Sequence, residues 1–95
     1  MSLKNTDFEI HGKVQGVSFR VNTAKKATEL GLVGWVMNTK TKTVVGQAQG
    51  SMERVDALKH WLEHVGSPKS RIDHAQFSNE HDLTELEFDG FKVRK

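Results

Sequence analysis

Nine consecutive residues, Gly12 to Arg20, combine types that could bind a phosphoryl group; they read Gly-Lys-Val-Gln-Gly-Val-Ser-Phe-Arg, and we call them the glycine loop. Its two glycines allow positive φ or a close backbone approach to a ligand. The start of a following helix adds main-chain N–H groups without intrahelical partners and the positive end of the helix dipole. Arg20 adds a planar fork of donors suited to a tetrahedral oxyanion. The segment predicts an anion-binding nest, although taken alone it is equally typical of an ordinary tight turn.

Better-known phosphate sites do not fit the glycine loop. It lacks the Gly-Lys-Ser/Thr ending of a Walker loop and the spacing of a dinucleotide-binding G-x-G-x-x-G. The chain contains no cysteine, which excludes a phosphatase with a cysteine nucleophile, disulfide bonds and thiolate zinc sites.

The hydrophobic pattern predicts the elements that flank this loop. Apolar residues alternate with polar ones before it, as in a strand, and an apolar stripe after it predicts a first helix over about 18–30, capped by Gly31. The members of that stripe are Val17, Val21, Ala24, Ala27 and Leu30. Residues 32–37 and 44–48 predict the two strands of a hairpin.

The second half of the chain predicts another helix and further strands. Ser51 is a plausible N-cap for a second helix that Gly66 ends. Residues 72–77 predict a fourth strand, and residues 83–93 predict one or two short edge pieces. The side chains expected to point inward from these edge pieces are Leu86, Phe88, Phe91 and Val93.

The order strand, helix, strand, strand, helix, strand predicts an α+β, ferredoxin-like βαββαβ sandwich. In this fold an antiparallel sheet carries two helices on one face. The end of the second strand can then lie beside the turn before the first helix. Asn38 is therefore expected to face the anion nest.

Length and charge limit the function classes. Ninety-five residues suit a single domain, here 1–95, and the formal net charge of +2 comes without a basic block, which disfavours nucleic acid as a partner. No apolar run approaches the roughly 20 residues of a membrane span, and no leader pattern is present. We expect a cytoplasmic monomer with no membrane partner.

Two motifs carry a resemblance to a known family. They are His-Gly-Lys-Val-Gln-Gly-Val-Ser-Phe-Arg at 11–20 and Gly-Trp-Val-Met-Asn at 34–38, which continues to Val44 and Gly50. The chain resembles the acylphosphatases, small hydrolases that cleave carboxyl-phosphate anhydrides. The likeness spans nearly the whole chain, including Gly-Ser-Pro-Lys-Ser at 66–70.

The resemblance implies roles for particular residues. Arg20 resembles the phosphate-binding arginine, Asn38 the residue that holds the attacking water, and Thr39 a secondary residue beside it. It further implies an acyl phosphate substrate, inorganic phosphate as product and competitive inhibitor, no cofactor and no metal. The terminal carboxylate at Lys95 is expected near Arg20. The amides expected to bind phosphate belong to Gln15, Gly16, Val17, Ser18 and Phe19.

The chain departs from the family pattern at three positions. Lys42 stands where the family usually has glycine, so it would be strained if that turn requires positive φ. Lys13 replaces a common arginine. Ser18 occupies a position where side chains vary, and we do not expect it to be a nucleophile.

Other signals support competing interpretations. The nest and Arg20 alone would serve a noncatalytic phosphate sensor of the same fold, whereas only turnover requires Asn38. An RNA-binding module would need aromatic residues on the third strand, which has none over 43–48. His60 and His64 stand at metal-ligand spacing but are expected to be solvated.

Overall fold

The computed structural model describes residues 2–94. The two predicted site side chains lie at the ends of elements, Arg20 near the start of a helix and Asn38 at the end of a strand. The described part of the chain forms five strands and two helices. In order they are β1 (Leu3–Lys13), α1 (Phe19–Glu29), β2 (Val33–Asn38), β3 (Val44–Ser51), α2 (Met52–His64), β4 (Arg71–Leu83) and β5 (Phe91–Arg94).

The strands form one sheet in the order β4-β1-β3-β2-β5. The first four pair antiparallel, so the predicted βαββαβ fold class is confirmed. The fifth strand makes the sheet mixed, because β5 runs parallel to β2 from Gly34↔Phe91 to Met37↔Arg94. Residues 84–90 carry the chain from the β4 edge to the β2 edge, so it re-enters the sheet in the direction of β2.

Among residues 2–94, one hydrophobic cluster joins both helices to one face of the sheet. Helix α1 contacts β2 and β5, and α2 contacts β1, β3 and β4. Burying these apolar side chains is the main favourable term that holds the layers together. The buried members of the cluster are Phe8, Ile10, Val14, Phe19, Ala27, Leu32, Val36, Val44, Ala48, Val55, Leu58 and Leu62.

The buried side of α1 differs from the predicted stripe. Val21 is 62% exposed, whereas Phe19, Thr23 and Ala27 are buried at intervals of four residues. The Phe19 ring packs against Trp61 with centroids 5.7 Å apart, which sets the rotation of the helix. Thr23 tolerates burial because its hydroxyl donates to the Phe19 carbonyl at 2.8 Å.

Two predictions about the chain's second half need correction. Leu86 and Val93, expected to point inward, are 41% and 42% exposed, although Phe91 does pack against the core. Strand β4 continues beyond Phe77 to Leu83. Ser51 holds the predicted N-cap position of α2, but within residues 2–94 its side chain makes no capping hydrogen bond.

A hydrogen-bonded polar network lies in the sheet beside the apolar core. Asn5 is fully buried, and its Oδ1 accepts from Gln47 at 2.7 Å and from Gln49 at 3.0 Å. Gln49 also donates to Glu87 at 2.7 Å. Such pairing offsets the desolvation of these side chains.

Over the span 2–94, neither helix has the length and apolar character needed to cross a bilayer.

Candidate active site

The glycine loop leaves β1 and enters α1 through two left-handed residues. Gly16 has φ +75° and Ser18 has φ +58°, while Val17 between them does not have positive φ. Alternation of this kind turns successive main-chain N–H groups toward one point and makes an anion-binding concavity. A Cβ placed on Gly16 would meet nothing within 4 Å, so this part of the loop faces open space.

A cavity of about 350 Å³ lies beside the nest. Arg20 and Asn38 both line it, although Arg20 lies in the first turn of α1 and Asn38 ends β2. The structure therefore brings together the two side chains that the sequence singled out. The lining residues are Val14, Gly16, Ser18, Phe19, Arg20, Val21 and Asn38.

Arg20 lies in the first turn of α1 and is half-buried. Its Nη1 donates to the main-chain oxygen of Arg94 at 3.1 Å. The last described strand therefore orients the guanidinium. The expected approach of the Lys95 carboxylate to Arg20 lies outside the described residues.

Asn38 is the last residue of β2 and pairs with Val44 in the sheet. Its Oδ1 is buried and has no hydrogen-bond partner among residues 2–94. Buried polar atoms in proteins are normally paired with protein or water, so this oxygen lacks the partner that such atoms usually have. The Asn38 side chain lines the cavity, and a rotation of its carboxamide would bring the oxygen to a donor there.

The turn between β2 and β3, residues 39–43, is organised by threonine hydroxyls, and we call it the threonine turn. Thr39 Oγ1 accepts the main-chain N–H groups of Thr41 at 3.3 Å and Thr43 at 3.2 Å. Thr39 Oγ1 also lies 2.7 Å from Thr43 Oγ1, which donates to Glu9 at 2.8 Å. The structure therefore gives Thr39 contacts that hold the turn beside Asn38.

The side chain of Gln15 connects this turn to the glycine loop. Its Nε2 donates to the main-chain oxygens of Thr39 at 3.1 Å and Thr43 at 2.9 Å. Sequence reasoning missed this contact, because it considered only the Gln15 main-chain amide. The acceptors are backbone carbonyls, which every residue carries, so no pattern of residue types marks them.

Ser18 is exposed and caps α1 in the left-handed conformation; its side chain makes no capping hydrogen bond within the described chain. Val17 is half-buried, and the Phe19 ring belongs to the core. Of the five residues predicted to bind phosphate through their amides, Gly16, Ser18 and Phe19 line the cavity, whereas Gln15 and Val17 are not among its lining residues. That arrangement suits recognition by amides rather than by side chains.

Histidine and charged side chains also lie close together at places outside this cavity. The His60 and His64 rings lie 4.9 Å apart, and across residues 2–94 no three His, Cys, Asp or Glu side chains form a group that could hold a metal ion.

Hydrogen bonding to Lys59, with weaker help from Lys4 and Thr6, lowers the pKa of Glu80 to about 2. That cluster joins β1, α2 and β4.

A larger cavity, about 600 Å³, lies at the start of α2 and includes Gly31 beyond the last turn of α1. Since α1 has 11 residues, this is about 16 Å from the helix start that bears Arg20. Size alone does not identify a site. The smaller cavity combines backbone donors, a guanidinium and an unpaired carboxamide oxygen, and it is the stronger candidate.

Comparisons with known proteins agree with the resemblance noted in the two motifs. The family model described as Acylphosphatase matches residues 6–93. Acylphosphatase-2 of Gallus gallus is 54% identical over 93 residues, covering 98% of this chain and 90% of that protein. An acylphosphatase structure from Coxiella burnetii has a TM-score of 0.86 at 31% identity, covering 98% and 94% of the two chains. One from Bacillus subtilis has a TM-score of 0.87 at 26% identity, covering 97% and 99%. The chain described here belongs to the acylphosphatase family.

Proposed function

We propose that this chain hydrolyses acyl phosphates to a carboxylate and inorganic phosphate. The observation that carries the proposal is the meeting of the amide nest, Arg20 and Asn38 at one cavity. Membership of the acylphosphatase family supports the choice of an acyl phosphate over other phosphoryl compounds.

The phosphoryl group binds at the glycine loop. Main-chain N–H groups of residues 15–19 donate to its oxygens, and Arg20 adds two-point recognition from the first turn of α1. Phosphoryl transfer spreads negative charge over the equatorial oxygens, so preorganised donors aimed at them stabilise the transition state. Inorganic phosphate has the same shape, which makes the product a competitive inhibitor.

Asn38 holds the attacking water in line with the bond that breaks. A carboxamide is not basic enough to remove a proton at neutral pH, but its oxygen can accept a hydrogen bond from water. The Asn38 Oδ1 has no partner among residues 2–94, and it makes this contact once the carboxamide turns toward the cavity that Asn38 lines. Holding the nucleophile in place removes much of the entropic part of the barrier.

The reaction requires neither a general acid nor a strong base from the protein. The leaving group is a carboxylate, a weak base that departs without being protonated. The water oxygen bonds to phosphorus as the bond from phosphorus to the acyl oxygen breaks, and the water proton passes to a phosphoryl oxygen. We therefore propose that the reaction proceeds without a metal ion.

Hydrolysis of acetyl phosphate by the purified chain in the presence of EDTA tests this proposal. Turnover that is saturable and competitively inhibited by inorganic phosphate is the expected result. Tight phosphate binding without turnover would favour the noncatalytic phosphate sensor instead. Turnover that EDTA abolishes and Mg²⁺ restores would contradict the metal-free mechanism.

A further inference from the structure

The Gln15 side chain joins the two halves of the site. Its Nε2 donates to the main-chain oxygens of Thr39 and Thr43 at 3.1 and 2.9 Å, which uses both N–H groups of the carboxamide. These acceptors are the first and last residues of the threonine turn. Asn38 immediately precedes that turn in the chain.

The threonine turn transmits this contact to Asn38 because it is itself cross-linked. The Thr39 main-chain N–H donates to the Thr43 oxygen at 2.9 Å, and Thr39 Oγ1 accepts from the Thr43 N–H at 3.2 Å. Asn38 then pairs with Val44 in the sheet. Because the Gln15 carboxamide bonds to both ends of the turn, it also holds the end of β2 that carries Asn38.

We propose that the Gln15 side chain is a positioning residue, which fixes the Asn38 carboxamide at a set distance from the amide nest. This inference rests on the proposed function and adds a second role for Gln15 beyond its main-chain amide. The nest and Arg20 belong to residues 15–20, which is the segment that carries Gln15. Asn38 belongs to the other segment, the one that accepts the Gln15 hydrogen bonds. Removing the side chain hydrogen bonds thus misplaces the water and leaves the phosphate donors together.

This division predicts a particular kinetic signature. A displacement of the nucleophile by a fraction of an ångström lowers kcat, since in-line attack depends strongly on geometry. Phosphate inhibition changes little, because the phosphate-binding groups stay on one segment. A side chain that only stabilised the fold would lower the melting temperature without changing kcat of the folded protein.

The test compares Gln15→Met, which keeps the side chain length without the donors, with Gln47→Met. Gln47 is a matched control, because its carboxamide also bridges two groups, donating to Asn5 at 2.7 Å and accepting from Trp35 at 3.2 Å. Acetyl phosphate hydrolysis and phosphate inhibition are measured where both variants are folded. We expect kcat to fall roughly 10-fold for Gln15→Met and less than about twofold for Gln47→Met, with the phosphate inhibition constant of both kept within about twofold.

The same substitution in an Asn38→Ala background makes the test specific. If Gln15 acts through Asn38, Gln15→Met causes no further loss of kcat there, because the two changes remove one function. An equal loss in both backgrounds, or a kcat within about twofold of the wild type, would overturn the inference. If Gln15→Met does not fold, Gln15→Asn replaces it, since a carboxamide shorter by one methylene cannot reach both carbonyls.

The outcomes also separate this inference from the function on which it rests. A wild-type chain that does not hydrolyse acyl phosphates refutes the proposed function and the positioning role with it. A wild-type chain that turns over, with Gln15→Met equally active, refutes the positioning role alone.

Discussion

Arg20 Nη1 donates to the main-chain oxygen of Arg94 at 3.1 Å, so a residue at the start of the first helix is held by the fifth strand. Arg94 itself stacks over the Trp35 ring, with its guanidinium carbon 4.5 Å from the ring centroid. Trp35 lies in β2, the strand parallel to β5. The fifth strand therefore connects the guanidinium to the strand that ends in Asn38.

Deleting Arg94 and Lys95 tests this arrangement. The truncated chain loses the acceptor that orients Arg20, and we expect its inhibition constant for inorganic phosphate to rise roughly 10-fold, the effect of one hydrogen bond to a charged group. Inhibition of acetyl phosphate hydrolysis measures it. Arg94→Ala keeps the carbonyl and loses only the stacking, so a smaller rise is expected there. Unchanged phosphate affinity in the truncated chain would show that β5 does not orient Arg20.

Replacing Arg20 by glutamine should weaken phosphate inhibition most of all. The neutral side chain is shorter and loses both the charge and the fork geometry. Arg54→Gln is the matched control, because Arg54 Nη1 likewise donates to one main-chain oxygen, that of Leu30, at 3.1 Å, at the other end of α1. We expect a rise of roughly 30-fold or more for Arg20→Gln and almost none for Arg54→Gln. Equal inhibition constants for the two variants would remove Arg20 from the site.

Asn38→Ala separates binding from turnover. Since the Asn38 oxygen is proposed to contact only the water, kcat should fall roughly 100-fold, equivalent to about 3 kcal/mol of transition-state stabilisation. The phosphate inhibition constant should stay within about twofold, because the nest and Arg20 remain. Steady-state kinetics with acetyl phosphate measures both quantities. Loss of phosphate binding with kcat retained would be the opposite pattern and would contradict the water-holding role.

The sequence identified the candidate side chains more reliably than the contacts between elements. Gly16, Arg20 and Asn38 are recognisable by type and spacing, and the predicted order of elements puts them at one sheet edge, where the structure has them lining one cavity. The prediction that Val21 lies on the buried side of α1 is wrong, because helical periodicity fixes the spacing of an apolar stripe but not which of two overlapping stripes packs against the sheet. Phe19 against Trp61 decides that, and it is a tertiary contact.

The unpredicted parts of the sheet depend on partners distant in sequence. Strand β4 runs past Phe77 because Asn5 Nδ2 donates to the Asn79 carbonyl at 2.9 Å. At that point the pairing with β1 changes register between Asn5 and Asp7. Polar residues on an edge strand carry little periodic signal of their own. The parallel direction of β5 likewise follows from its return to the β2 edge and not from its four residues.

Lys42→Gly should stabilise the protein. Lys42 has φ +69°, so the turn does require the left-handed conformation, which costs a residue with a Cβ about 1 kcal/mol or more. Glycine removes that strain but adds freedom to the unfolded chain, so the net gain in the free energy of unfolding is about 0.5 kcal/mol or more. Thermal unfolding should show a melting temperature higher by about 3 °C.

Lys40→Gly is the control for that substitution. Lys40 is exposed in the same turn but does not have positive φ, so glycine there brings only the entropic cost. We expect Lys40→Gly to be neutral or destabilising, and kcat to change in neither variant. A lower melting temperature for Lys42→Gly would show that the lysine side chain contributes more than the strain removes.

Glu80 should make stability fall in acid. Hydrogen bonding to Lys59 lowers the pKa of its carboxyl from the usual 4.5 to about 2 in the folded chain. A depressed folded pKa means that the unfolded chain binds the proton first, so the stabilisation is complete above pH 4.5 and is lost as pH falls toward 2.

The Glu80 side chain is 30% exposed, so after solvent screening we expect a loss of about 1 kcal/mol across this window. Urea unfolding at about pH 7 and about pH 3 measures it. Glu80→Gln should remove this part of the acid sensitivity, and Lys59→Gln should remove less of it, because Lys4 and Thr6 still donate to the Glu80 carboxylate. If the wild type and both variants lose stability equally between the two pH values, other carboxyl groups cause the acid sensitivity and the Glu80 pair does not.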